Sequence, residues 1–203
     1  MKIIGILGSS RNESNTEVLL DAALEEAQNS GAIIDKIPLK GKSIAPCDGC
    51  GGCLKTGKCV IEDDGPVILA QMVASDGIIW ATPVYFWSMT GQTKTLLDRT
   101  FALLFPKLQL ANKVGGLITV AGNRGCMNLA NIFNQYFNYN HMFSAEFAMG
   151  YAHAMGDIKK DAFALNMAKT MSHQMISLIN ADLKFPKEFD TPLLRYVKDR
   201  LVS

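Results

Sequence analysis

This sequence lacks a block of charge of either sign. Its 20 Lys and Arg against 19 Asp and Glu leave a formal net charge of +1. No basic stretch tracks a nucleic acid and no acidic tail is present, so no nucleic-acid partner is expected. No apolar run is long enough to span a bilayer. No charged leader or apolar signal segment precedes the first strand, which begins almost at Met1. A reducing, cytoplasmic setting without a membrane partner is the expectation. The glycine fingerprint G-x-G-x-x-G and the Walker lysine motif are both missing. The three histidines, His141, His153 and His173, are dispersed and read as structural. No Ser-His-Asp or paired-carboxylate constellation is legible, so no side chain is assigned a catalytic acid, base or nucleophile role. There is no internal repeat and no low-complexity linker.

What is present begins with a full apolar complement. The 203 residues are 48% hydrophobic, enough to build the core of one ordinary domain. Lys2 to Leu7 is an apolar run ending at Gly8, as a buried parallel strand should be. Residues 14–29 repeat Leu19, Leu20, Ala23, Leu24 and Ala27 at helical spacing, with Gly31 as a stop. Further strands are expected at Ile33 to Leu39, Asp76 to Thr82, Val114 to Ala121 and within 143–151. Helices are expected over 65–75 with Asp64 as cap and Pro66 in the first turn, and over 91–105, 126–137 and 159–181. Phe163, Met167, Met171 and Met175 would form one core stripe of the last helix. Such alternation predicts an α/β fold. Five strands favour a flavodoxin-like open parallel sheet in the order 2-1-3-4-5, with helices on both faces. That order places a ligand at the carboxyl ends of strands 1 and 3. The domain is read as residues 1–184, with a cysteine-rich loop at about 40–63. Residues 185–203 form a tail, read as an oligomer arm or a short terminal helix.

Four of the five cysteines crowd into CDGCGGCLKTGKC: Cys47, Cys50, Cys53 and Cys59. The spacing is C-x2-C-x2-C-x5-C. A four-iron cubane takes four thiolates, and compact C-x2-C-x2-C runs suit it. The intervening glycines let the backbone turn tightly, and Lys55 and Lys58 offset negative charge. Zinc also takes four thiolates, although more often as two C-x2-C pairs with a longer spacer. Free or redox-active thiols are a further alternative, whereas disulfides suit an oxidising compartment. Cys126 stands apart and reads as a small buried apolar residue.

Three segments lie at the expected ligand edge. GSSRNESNTE, residues 8–17, leads into a helix N-terminus, where free N–H groups and the helix dipole favour an anion. Ser9, Arg11, Ser14, Asn15 and Thr16 can all donate to phosphate oxygens; a polar loop with an ordinary cap is the plainer alternative. TPVYFWSMTGQTK, residues 82–94, sets Tyr85, Phe86 and Trp87 beside small polar residues, as a planar ring requires, or as a subunit contact would. AGNRGC, residues 121–126, is the third. Phosphate donors, an aromatic wall and backbone amides together suit flavin mononucleotide, FMN, rather than FAD, for which no second phosphate or adenine site is legible.

SSRNESNTE, CDGCGGCLKTGKC with the DD that follows, ATPVYFWSMTGQTKTLLDR and AGNRG together resemble the NAD(P)H-dependent FMN reductase and iron–sulfur flavoprotein family, over roughly residues 1–180. The resemblance implies that Ser9, Arg11, Ser14, Asn15 and Thr16 hold the FMN phosphate. It implies that Pro83, Val84, Tyr85 and Phe86 line the flavin ring and that Asn123, Arg124 and Gly125 form the third flavin loop. Cys47, Cys50, Cys53 and Cys59 match the 4Fe-4S ligands of the iron–sulfur branch. A homodimer or homotetramer is implied too, with NAD(P)H, another small molecule or a ferredoxin-type protein as electron donor or acceptor. The expected function is an FMN-dependent oxidoreductase moving electrons between a 4Fe-4S cluster and FMN. The alternatives are a cluster-free NAD(P)H-dependent reductase of flavins or quinones, and a non-catalytic flavodoxin-like carrier. Near-neutral charge speaks against the carrier, since small redox carriers often steer partners by a strong field.

Overall fold

A computed structural model describes residues 1–187. The elements are β1 (Lys2–Leu7), α1 (Asn15–Asn29), β2 (Ile33–Pro38), α2 (Gly65–Val73), β3 (Gly77–Pro83), α3 (Gly91–Arg99), β4 (Val114–Ala121), α4 (Cys126–Tyr139), β5 (Phe143–Ser144), β6 (Ala148–Tyr151) and α5 (Ala162–Asn180). All strand pairs are parallel, in the order β2-β1-β3-β4-β5, with β6 also on β4. This is the flavodoxin-like order expected from the sequence.

Alternation along the central strands divides the core. Ile3 and Leu7 of β1 and Ile79 and Ala81 of β3 face α1 and α5. Ile4 and Ile6, with Ile78 and Trp80, face α2, α3 and α4. A strand sends successive side chains to opposite faces, and here both faces are covered by helices. That is why these strands read as unbroken apolar runs.

Four details differ from the sequence reading, and a fifth reading, of the tail, is only partly covered. The fifth strand is one sheet edge in two pieces: Phe143 and Ser144 pair with Val114 and Gly115, and Ala148 to Tyr151 pair with Ile118 to Ala121. The helix expected over 91–105 ends at Arg99 and tightens into a 3-10 turn over Thr100–Leu104. Asp64 makes no side-chain cap to α2; its carboxylate instead accepts the backbone N–H of Ser43 at 2.7 Å. Phe163 is 72% exposed, and the buried face of α5 runs through Ala164, Ala168, Met171, Ser172 and Met175. One residue is about 100° of helical rotation, which turns Phe163 away from that face. Of the tail, only residues 185–187 are described, and Phe185 stacks on His141 and Phe143 at 4.9 Å; the oligomer-arm reading falls on residues outside the described ones. Among the described residues no helix is long and apolar enough to cross a membrane.

Candidate flavin site and cysteine cup

The carboxyl edge of β1 and β3 is stitched together by buried threonines. Thr90 caps α3 and donates its hydroxyl to the Gly8 carbonyl at 2.7 Å. Its hydroxyl also lies 2.8 Å from that of Thr93, which donates to Thr82 at 3.2 Å. Gly8 is needed here for close approach, since a Cβ on it would sit 1.8 Å from Thr93 Oγ1. The loop that leaves Gly8 is therefore held at its root by the Thr90 hydroxyl, with those of Thr93 and Thr82 packed behind it.

Within that loop the five expected phosphate residues separate into different tasks. Ser14 caps α1, accepting the Glu17 N–H at 3.1 Å. Ser9 is buried and accepts the Arg11 N–H at 3.2 Å. Thr16 is buried, and Arg11 projects into solvent. Asn15 has committed both ends of its amide. Its Nδ2 donates to the Ala154 carbonyl at 2.8 Å, and its Oδ1 accepts the N–H groups of Gly156 at 2.9 Å and Ile158 at 3.3 Å. What Asn15 keeps for an anion is its backbone N–H. Among the described residues, the N–H groups of Asn15 and Thr16 have no acceptor, as expected for the first positions of a helix.

The second loop leaves β3 at Pro83. Val84 donates its N–H to Val120 at 2.8 Å, and Tyr85 and Ser88 exchange backbone hydrogen bonds at 2.8 and 3.1 Å. Between them Phe86 and Trp87 have φ of +45° and +72°. Two positive φ values make a tight turn of the kind that favours Asn and Gly. Aromatic residues there carry backbone strain, and such strain gathers at functional sites. The turn thrusts Phe86 outward, 96% exposed. The third loop crosses beside it: Gly125 has φ +104°, and a Cβ there would meet Val84 Cγ1 at 2.7 Å. Val84, Phe86, Trp87, Asn123 and Arg124 line an open concavity of about 460 Å³. Tyr85 reaches back to the first loop, its hydroxyl 3.4 Å from that of Ser10.

The cysteines form a separate cup. Cys47, Cys50, Cys53 and Cys59 all line one cavity of about 290 Å³, together with Arg99 and Phe101. Among the described residues no three His, Cys, Asp or Glu side chains form a group that could hold a single metal ion. Gly57, with φ +68°, lets the chain turn between Cys53 and Cys59, where a Cβ would stand 2.0 Å from the Phe105 carbonyl oxygen. Burial pushes the Cys53 thiol up. Cys126 is fully buried at the start of α4, away from the cup, and burial raises it too.

Arg99 floors the cup, 1% exposed. Its two Nη atoms reach both Asp63 carboxylate oxygens at 2.8 and 3.1 Å. The Arg99 hydrogen bond holds Asp63 below the usual carboxylate range against the opposing effect of burial, helped by the N–H groups of Ala45 and Gly65. Burial also pulls on the guanidinium, but Asp63 and Cys59 outweigh it and keep Arg99 above its ordinary value. Asp98, its neighbour in the chain, bonds Lys94 one turn back at 2.6 Å, whereas Arg99 turns inward. The cup lies apart from the three-loop edge. It rests on the last residue of α3, whose first turn faces the flavin edge, and a nine-residue helix is about 13 Å long.

The chain matches the NADPH-dependent FMN reductase family over residues 1–154. It is 35% identical to an iron–sulfur flavoprotein of Methanocaldococcus jannaschii over 189 residues, covering 88% of this chain and 97% of that protein. The chain belongs to the NADPH-dependent FMN reductase family. It is accordingly a flavin-dependent oxidoreductase, and the carrier reading falls. An iron–sulfur flavoprotein of Archaeoglobus fulgidus is 36% identical over 159 residues, covering 78% of this chain and 72% of that protein. Among solved structures, an archaeal flavodoxin superposes with a TM-score of 0.59 at 11% identity, covering 89% of this chain and 99% of the other. RosB, solved with bound 8-demethyl-8-formylriboflavin-5′-phosphate, gives 0.74 at 17% identity over 89% of this chain and 79% of the other. These two likenesses speak to the fold.

Sequence reasoning missed Arg99 and Asp63 in this reductase-family chain. Arginine at a helix end usually reads as a solvated charge. The one available signal was Asp63 following the fourth cysteine at short range, which gives a buried cation a partner.

Proposed function

We propose that this chain is an oxidoreductase of the iron–sulfur flavoprotein type, holding FMN at the three-loop edge and a 4Fe-4S cluster in the cysteine cup. The observation that carries the finer reading is that all four cysteines of the compact motif wall one cavity. A cavity of about 290 Å³ suits an object larger than an ion. The donor set fits the group as well: four sulfurs for four irons, and a guanidinium N–H already 3.0 Å from Cys59 Sγ.

At the flavin edge, the free N–H groups of Asn15 and Thr16 and the cation of Arg11 bind the phosphate. Val84, Phe86 and Trp87 cover the ring, and Asn123 and Arg124 present polar groups to its edge. When bound, flavin takes up one or two electrons and the cluster passes one at a time. The residues orient these groups and shield them from water. The same reading carries a homodimer or homotetramer, which would bring one subunit's cup near another's flavin edge. It takes NAD(P)H or a ferredoxin-type protein as donor.

Anaerobic purification followed by iron, sulfide and flavin analysis tests this. The expected result is FMN on acid release and roughly four irons and four sulfides per chain. FMN with no iron after reconstitution would instead establish the cluster-free NAD(P)H-dependent reductase. A putative NAD(P)H-dependent FMN-containing oxidoreductase of Bacillus subtilis, 27% identical over 84% of this chain and 96% of that protein, keeps that second reading in view.

A further inference from the structure

We propose that Arg99 is a positioning residue for Cys59, closing the cysteine loop into a ring and raising the reduction potential of the group that the loop holds. The inference rests on the cluster reading above.

Every nitrogen of the Arg99 guanidinium is used, and every partner belongs to the cysteine loop or its flanks. Nη1 donates to the Ala45 carbonyl and to Asp63 Oδ2, both at 2.8 Å. Nη2 donates to the Ile61 carbonyl at 3.3 Å and to Asp63 Oδ1 at 3.1 Å. Nε donates to Cys59 Sγ at 3.0 Å. Ala45 precedes the first cysteine, while Ile61 and Asp63 follow the last. One side chain therefore fastens both ends of the loop, and Asp63 reinforces the closure by accepting the Ala45 N–H at 2.8 Å.

Loop closure alone accounts for four of the five bonds, all of them to oxygen. The fifth goes to sulfur at the cavity wall. A buried guanidinium gains little from a neutral thiol, a weak acceptor. It gains much more from a thiolate, where the bond is charge-assisted. Asp63 neutralises the charge of Arg99 at one edge of the fork while Nε is directed to Cys59. The site at the end of α3 also suits a cation, since the negative end of the helix dipole lies there. Lysine has no planar fork and could not make this set of bonds at once.

Hydrogen bonds to cluster sulfurs and local charge set the potential of an iron–sulfur group. One-electron reduction adds negative charge, which Arg99 stabilises more in the reduced than in the oxidised state. Removing the guanidinium should lower the potential. Removing only the carboxylate should raise it, because the charge of Arg99 is then less offset.

The test compares reconstituted wild type with Asp63→Asn and with the double variant Asp63→Asn/Arg99→Gln, whose amide pair leaves no buried charge unpaired. Midpoints are read by dithionite titration followed by electron paramagnetic resonance. Relative to wild type, the double variant should move its oxidised-to-reduced ratio about tenfold toward oxidised, about 59 mV lower for one electron. Asp63→Asn should move the other way. Opposite shifts support the role. Midpoints unchanged in both, or shifted alike, reduce Arg99 to a structural clamp and overturn it. Should the double variant retain its fold but load no iron, Asp63→Asn alone decides: a raised midpoint supports the proposal and an unchanged one overturns it. A wild type without a cluster after reconstitution sinks the cluster reading and this role with it, and is told apart by the wild-type iron content.

Discussion

The side chain of Asn15 accepts the backbone N–H of Gly156 at 2.9 Å, although the two lie 141 positions apart in the chain. Its other end donates to Ala154, two residues before Gly156. Asp157 completes the knot by accepting the N–H groups of His153 at 3.2 Å and Ala154 at 2.7 Å. The start of α1, where the phosphate is expected, is thus tied to the segment after β6. The helix N-terminus keeps its backbone donors aimed outward because a side chain beneath it is anchored elsewhere.

Asn15→Ala should therefore act on stability and on cofactor binding together. It removes bonds to three backbone groups that are part-buried or at the surface, and one to two of these should cost about 1–3 kcal/mol in total. Urea unfolding of the apo protein reads the first effect and FMN titration the second. Weaker FMN binding with an unchanged urea midpoint would mean that the side chain serves the ligand directly.

Gly8→Ala tests the threonine stitch. The new Cβ would lie 1.8 Å from Thr93 Oγ1, and Thr93 is fully buried in a hydroxyl chain with Thr82 and Thr90. Overpacking of this sort costs about 1–3 kcal/mol. Thermal unfolding should show the loss, and the paired substitution Gly8→Ala/Thr93→Ala should recover part of it by making room.

These two sites differ in how much of them could be read from sequence. The runs of β1, β3 and β4 were legible because burial on both faces leaves only apolar residues to choose from. The polar loop after Gly8 was legible for its hydroxyls and amides. The commitment of Asn15 to Gly156 was not, because a partner so distant leaves no local pattern. Arg99 was hidden for another reason: a helix-end arginine has the same local signature whether it points to water or into a cup. Asp64 reads as a cap until the loop before it brings the Ser43 N–H within reach. The break between β5 and β6 lacks a glycine or proline to announce it.

Acid should loosen the cysteine loop of the apo protein through Asp63. Its folded pKa is depressed, chiefly by the Arg99 hydrogen bond. A depressed carboxyl contributes stability that is complete above its unfolded value, about 3.9. That contribution is lost as pH falls below that value and through the folded one. Urea midpoints of wild type and Asp63→Asn should differ by a constant amount from pH 7 to about pH 5 and converge below about pH 4. A gap that persists at low pH would show that the carboxylate charge is not what the loop uses.

Cys59 and Cys126 should separate in iron analysis. Cys59 lines the cup and accepts from Arg99, whereas Cys126 lies buried at the start of α4. Cys59→Ala should lower iron content or leave a three-iron species, with FMN retained. Cys126→Ala should leave iron unchanged and cost only the packing of one small buried group, about 1 kcal/mol. Iron loss in the second variant would place the cluster elsewhere.

Phe86 offers a substitution whose two effects oppose each other. Its φ of +45° is unfavourable for any residue with a Cβ, by about 1–2 kcal/mol. Glycine relieves that strain but has more unfolded freedom to lose, about 0.4–1 kcal/mol. The side chain is 96% exposed and contributes no packing to the apo fold. Phe86→Gly should thus leave apo stability unchanged or raise it by up to about 1.6 kcal/mol. FMN affinity should fall, because an aromatic face contributes about 0.5–1.5 kcal/mol to a stacked ring, roughly two- to tenfold in Kd. Chemical unfolding of the apo protein and fluorescence titration with FMN read the two sides. Stability and affinity falling together would mean that Phe86 packs within the fold or against a second copy, and would remove it from the flavin wall.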